Sequence, residues 1–478
     1  MPISAHYRAS AAFETLSEND GAPFYDRVSP ASFPKHILRY RNRQWDTAIG
    51  LDDLSEAEWV CHFGKFDPLP SSLSSPLAIR YHGHQFRSYN PDIGDGRGFL
   101  FSQLYDNQER LLDLGTKGSG QTPYSRRGDG RLTLKGGVRE VLATEMLEAL
   151  GVYTSKTLSL IETGESLERG DEPSPTRSAV MVRLGHSHVR FGAFQRLAAE
   201  NRDDAIEVLC NYCIEHFYPH LVSEPDKLAK LYGEVVTQSA RLCAQWMAAG
   251  FVHGVLNTDN MNVTGESFDY GPWRFLPSMD FGFTAAYFDQ TGLYAYGRQP
   301  DAVAWNLAQL GGALSSVIEE EVLNKALQTF PKVFESAMVS AFYRRLGLRP
   351  SGEGDFDFVM ALLRWMDEAN VPFEQAMFDL FCFEDARMQK SPVSSVYQGD
   401  GFKVLRQKVV SHEKIEPGRL SAAYFSGKPE TMLIDEVENI WAAIDEDDDW
   451  SRFTDKIEAI REMGAAYRFE ASLFPPHP

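Results

Sequence analysis

Apolar positions change their period along this 478-residue chain, and the changes divide it. Between residues 91 and 117 they come in short extended runs. Phe99-Leu100-Phe101 lies in a run over 99–105, and Asp106-Asn107 separates it from a second over 109–115, the pattern of a hairpin. Over 135–150 the period becomes helical. Val138, Val141, Leu142, Met146, Ala149 and Leu150 share one face, and Gly151 follows as a stop. A polar, proline-containing loop is expected over 165–176 and a strand over 179–184.

Beyond about residue 192 the pattern is mainly helical. One helix is expected over 203–220. A second carries Leu228, Leu231, Val235, Leu242 and Trp246 on one face and stops at Gly250. Residues 301–343 and 355–383 also read as helical, while 31–42, with Phe33, Pro34, Ile37 and Leu38, reads as an extended segment packed on the rest. A sheet-rich first part and a helical second part predict an α+β fold with two lobes and a cleft between them for a small ligand.

Composition narrows the function. The formal net charge of −20 argues against a general binder of nucleic acid or of an anionic membrane, so neither is an expected partner. Five cysteines are too few for a disulfide framework, and Cys210 and Cys213, at C-x-x-C spacing within a helical pattern, are expected to be core thiols. Met1-Pro2-Ile3-Ser4-Ala5-His6 shows no basic segment leading into an apolar run, and no apolar stretch is long enough to span a bilayer. The cytoplasm is the expected location. The acidic run Asp445-Glu446-Asp447-Asp448-Asp449 is expected to be a solvated loop.

Several residues could carry phosphate chemistry. The glycines of Gly94-Asp95-Gly96-Arg97-Gly98 would let backbone N–H groups approach a phosphate, with Arg97 adding charge; a plain hairpin turn would look the same. Lys117 ends the second hairpin strand, where it could reach phosphates beneath that loop. It needs an acidic partner from the next helix, and periodicity favours Glu145 over the flanking Glu140. Arg183, near the end of an apolar strand, and Arg190 need anionic partners, either a phosphate chain or a structural carboxylate.

The most specific signal follows Gly250. It reads His253-Gly254-Val255-Leu256-Asn257-Thr258-Asp259-Asn260 and then Asp269-Tyr270-Gly271, the order of a kinase catalytic centre. Asn and Asp oxygens about ten residues apart can converge on one divalent ion. The literal tripeptide Asp280-Phe281-Gly282 competes with Asp269 for that role.

With these residues in place, the chain resembles the selenoprotein O family of protein adenylyltransferases, the AMPylating pseudokinases. The likeness runs through Tyr81-His82-Gly83-His84-Gln85-Phe86, Gly94-Asp95-Gly96-Arg97, Lys117-Gly118-Ser119-Gly120-Gln121-Thr122-Pro123-Tyr124-Ser125-Arg126, Gly128-Asp129-Gly130-Arg131, Arg139-Glu140, Arg183, Arg190-Phe191-Gly192 and the His253 and Asp269 motifs. It closes with Tyr294-Ala295-Tyr296-Gly297-Arg298-Gln299-Pro300 and is dense over 80–310. The resemblance implies a protein-kinase-like, two-lobed fold that binds ATP inverted and passes AMP to Ser, Thr or Tyr hydroxyls of proteins, releasing pyrophosphate. It implies an N-terminal extension over 1–75, a nucleotide-binding lobe over 76–192, a helical lobe over 193–400 and a C-terminal extension over 401–478.

By position, Gly94, Gly96, Arg97, Lys117, Asp129, Gly130, Arg183 and Arg190 would hold ATP. Asn260 and Asp269 would hold Mg²⁺ or Mn²⁺, Asp259 would accept the proton, and Glu140 would pair with Lys117 in place of Glu145. Asp280 then drops out as a metal ligand. Val255 stands where similar kinases carry their base, which leaves Asp259 as the carboxylate of that loop. No residue selects the base, so UTP as donor stays open, as does a non-catalytic nucleotide-binding scaffold. Arg87 replaces a common Gly, and Gly98 replaces a common Ala. The sequence ends Pro475-Pro476-His477-Pro478, without the Cys or selenocysteine of many relatives, which puts redox control through that residue in doubt.

Overall fold

The computed structural model describes residues 3–17, 22–170, 172–409, 412–414 and 422–467. Pro475-Pro476-His477-Pro478 and the first two residues of the N-terminal reading lie outside them. Its centre is a nine-stranded antiparallel sheet in the order Tyr25–Arg27, Leu77–Ile79, Leu100–Tyr105, Leu111–Lys117, Thr176–Gly185, Lys156–Leu167 and Ile37–Arg41. Arg8–Ser10 pairs with Leu100–Tyr105, and Leu132–Thr133 pairs with Thr176–Gly185. Helices dominate the chain after Phe191, so the fold is α+β.

The hairpin predicted around Asp106-Asn107 joins Leu100–Tyr105 to Leu111–Lys117, with Tyr105 opposite Leu111. The residues before 42 do more than pack on the outside, because three of their segments are strands of the main sheet. The expected polar loop is shorter than its composition suggested, since Lys156–Leu167 and Thr176–Gly185 run into it. Charged side chains on these strands pair with neighbours instead of facing water. Glu162 meets Arg39 and Arg177, and Glu165 meets Arg131.

The helix Leu134–Ala149 begins where Thr133 accepts a hydrogen bond from the Gly136 N–H, a cap worth about 1 kcal/mol. It is sandwiched. Val138, Val141 and Leu142 share a core with Leu160 and Met181 of the sheet and with Ile460 and Met463 of the helix Ser451–Tyr467. Gly464 packs against Ala149, where an added Cβ would sit 3.1 Å from the Ala149 Cα. Each Val or Leu buried here stabilises the fold by about 2 kcal/mol.

The region expected to be helical over 301–343 resolves into Gln299–Leu314, Glu320–Leu327 and Phe330–Leu346. The acidic run is not a loop. Its first part ends the helix Ile434–Asp447, and Asp448 reaches Arg39 and Arg177. Cys210 and Cys213 are free and buried in the helix Asp203–Phe217, and burial pushes both thiols up, as core positions would. No helix among the described residues is long and apolar enough to cross a membrane.

Candidate active site

Strand register brings two cations together. Met181 lies opposite Lys117, and Arg183 lies opposite Gly115. Alternation along each strand therefore puts Lys117 and Arg183 on one face as diagonal neighbours. Gly115 lies between them, and a Cβ there would come within 2.6 Å of the His188 ring. The helix Leu134–Ala149 delivers Glu140 to the pair. One carboxylate oxygen meets the Lys117 ammonium, and the other accepts from Arg183 at 3.2 Å. Glu145, which periodicity favoured, points elsewhere: it accepts from Tyr40, from Asn42 and, at 2.7 Å, from Arg461.

Asp269 completes the cluster from the helical side. Its Oδ1 accepts from Lys117 at 2.9 Å and lies 3.6 Å from Arg183, while its Oδ2 lies 3.4 Å from Arg190. Burial opposes ionisation of this carboxyl, but Lys117, Arg183, Arg190 and Arg97 outweigh it and hold it well below the usual range. Arg190 donates to the Asp259 carbonyl at 2.9 Å and lies over the Tyr81 and Phe268 rings at 4.7 and 4.8 Å.

The turn bearing Asp259 is tied down on both sides. The Asn257 Oδ1 accepts from the Phe86 N–H at 3.0 Å and from the Tyr294 hydroxyl at 2.8 Å. The Thr258 hydroxyl accepts from the His84 N–H and donates to Gln195. Asp259 itself keeps a buried Oδ1 that has no hydrogen-bond partner among the described residues. Burial pushes its carboxyl up to about 6, against the pull of Arg190. The Asn260 Nδ2 donates to the Val255 carbonyl at 2.9 Å, which leaves the amide oxygen as its free end.

The glycine loop closes the cleft from the sheet side. A Cβ on Gly94 would lie 2.4 Å from the Tyr124 ring, so that ring excludes any side chain there. Gly130 has φ +69° and lies against the backbone of Gly120. Asp129 pairs with Arg169 at 2.8 Å and accepts from the Arg131 N–H.

Gly94, Gly96, Arg97, Lys117, Asp129, Gly130, Arg183, Arg190, Asp259, Asn260 and Asp269 all line one cleft of about 800 Å³, and Glu140 stands behind it. Asp280 is not in the lining; it accepts from the Gly282 N–H and holds its own turn. Sequence reasoning gave no role to Arg126, which closes the motif that begins at Lys117, and missed Arg127 and Arg169; Arg126 and Arg127 both have left-handed backbone at the rim. It also missed Asp95, whose Oδ2 accepts from the Ile79 N–H and meets His188 at 3.1 Å. The tandem arginines between turn residues were a visible signal; the others are joined only by folding.

Among the described residues, eight cations line the cleft: Arg97, Lys117, Arg126, Arg127, Arg131, Arg169, Arg183 and Arg190. Four carboxylates face them: Asp95, Asp129, Asp259 and Asp269. A cationic surplus in a chain of net charge −20 marks a polyanion site. The Asp269 carboxylate and the free Asn260 oxygen are hard oxygen donors, a pair that suits a divalent cation, and the unpartnered Asp259 Oδ1 belongs to the same lining.

Residues 8–461 match the family model described as protein adenylyltransferase SelO. The chain belongs to the SelO family. A protein nucleotidyltransferase YdiU from Trichormus variabilis is 42% identical to this SelO chain over 471 residues, covering 95% of the chain and 96% of the relative. Another from Gloeobacter violaceus is 45% identical over 465 residues, covering 94% and 95%. A third, from Synechocystis, is 42% identical over 484 residues. This SelO chain is therefore an enzyme of the nucleotidyltransferase class.

Proposed function

We propose that the chain transfers AMP from ATP to Ser, Thr or Tyr hydroxyls of proteins and releases pyrophosphate, on a two-lobed, kinase-like scaffold divided near residues 75, 192 and 400. The observation that carries this reading is the convergence of Lys117, Arg183 and Arg190 on Asp269, beside an Asp259 oxygen that has no partner among the described residues.

The cations supply the electrostatics. Lys117, Arg183, Arg190 and Arg97 would neutralise the phosphate chain and the charge that builds on it as the P–O bond breaks. Gly94 and Gly96 would let the backbone close over the nucleotide, with Asp129 and Gly130 at its far end. Glu140 keeps Lys117 and Arg183 in register through its two carboxylate oxygens. Asn260 and Asp269 would hold Mg²⁺ or Mn²⁺, which when bound offsets phosphate charge. The acceptor hydroxyl oxygen bonds to the α-phosphorus, pyrophosphate leaves with the bonding pair, and Asp259 takes the hydroxyl proton. A carboxyl titrating at about 6 is a usable base near neutral pH.

The test compares ATP labelled at the α- or γ-phosphate, with protein label as the readout, alongside Asp269→Ala. Transfer of the α label alone is expected, and its loss in the variant. Transfer of the γ label alone would make the chain a conventional kinase. A UTP competition in the same assay reads the choice of base.

A further inference from the structure

A second cavity, of about 370 Å³, opens away from the cleft, between the end of the helix Leu134–Ala149 and the helices Lys227–Ala248 and Phe330–Leu346. Thr237, Arg241, Gln245 and Ala248 follow one another along one face of the first long helix. Val333, Ala337 and Ala341 of the second, with Leu150 and Ala248, make an apolar floor.

The charged groups in its lining are of one sign among the described residues. Arg241, Lys332 and Arg344 line it, and among the described residues no carboxylate does. The one hydrogen bond of the Arg241 side chain, at 3.5 Å, goes to the neutral Gln238, and Lys332 makes no ion pair among the described residues. Arg344 donates to the Gly151 carbonyl at 3.2 Å. Acidic residues outnumber basic ones by 67 to 47 in this chain, so a lining whose charged groups, among the described residues, are all cationic reverses the overall bias.

We infer that this cavity binds an amphiphilic anion: a hydrocarbon body of about ten carbons lies on the apolar floor, and a carboxylate or phosphate head meets Arg241 and Lys332. Guanidinium forks suit both heads, and the cavity is large enough for the body but far too small for a protein segment of any length. The inference does not depend on the nucleotidyl chemistry, because none of these residues lines the cleft.

The test titrates the full chain by calorimetry with sodium decanoate and with decyl phosphate, which distinguishes the two heads, and with decylamine and 1-decanol as controls. Either anion is expected to bind with a Kd below about 1 mM, and to bind at least about tenfold more tightly than decylamine or decanol. Lys332→Glu, at an exposed position that folding tolerates, is expected to weaken the anion about tenfold, and Arg241→Glu to do the same. Ser336→Phe, also exposed, is expected to block the cavity and abolish binding while leaving nucleotidyl transfer unchanged. Absence of binding at 1 mM (roughly the weak end of ligand affinities), equal binding of decanol, or binding indifferent to Lys332→Glu and Ser336→Phe would overturn the assignment.

Discussion

Two glutamates on one helix show what separates a site from a staple. Glu140 and Glu145 are both buried, both on Leu134–Ala149, and both paired with cations. Around Glu145 the charges are matched: Arg461 answers the carboxylate, and Tyr40 and Asn42 take its remaining capacity. Around Glu140 they are not. Lys117 and Arg183 are divided between it and Asp269, and Arg190 and Arg97 act on Asp269 as well. A balanced network holds the fold together; an unbalanced one is held ready for a charge that arrives from solution.

The comparison can be broken most severely at Asp269. Asp269→Ala should lower transfer of an α-labelled nucleotide by about a thousandfold while circular dichroism stays unchanged, since removing one preorganised electrostatic group typically has an effect of this size. Retained transfer would remove this carboxylate from the chemistry. Glu140→Gln comes next. It should lower transfer by about ten- to a hundredfold, with little change in melting temperature relative to its partner variant.

Glu145→Gln should do the reverse. It leaves Arg461 without its carboxylate, so stability should fall by about 2 kcal/mol in chemical denaturation, with transfer close to normal at a temperature where the variant is folded. If the two variants showed the same pattern, the distinction between site and staple would be lost.

The effect furthest from the chemistry concerns Glu266, buried behind the arginines, where burial pushes its carboxyl up to about 7 although it accepts from the His186 N–H. Its folded value lies above its unfolded one. Between pH 4.5 and 7 the folded chain therefore keeps a proton that the unfolded chain has lost, and stability falls as pH rises through that window. Glu266→Gln should remove that slope, gaining about 2–3 kcal/mol relative to the parent between pH 4.5 and 8, as read from denaturant midpoints. An unchanged slope would assign the pH dependence to other groups.

What could be read in advance follows from the range of the interactions. The hairpin, the helix after it and the loop from His253 to Asp269 are local patterns, and they were legible. The strands Arg8–Ser10 and Tyr25–Arg27 were not, because three residues are too few to show alternation and their pairing partners lie about fifty to a hundred residues away. Glu145 misled periodicity because both faces of its helix are covered, the second by a segment more than three hundred positions later. Facing the apolar stripe therefore did not mean facing the cleft. The family resemblance pointed to Glu140, which spacing alone could not do.

The closing helices of the chain carry a consequence for how the enzyme can be governed. Besides Arg461 on Glu145, Glu438 meets Lys135 and Arg139 at the other end of the same rod, and Gly464 lies flush against Ala149. A rod fastened at each end cannot swing outward and back as a lever. Such fastening favours keeping its glutamate docked on Lys117, so that what enters the cleft, more than how the cleft is assembled, would set the throttle on turnover.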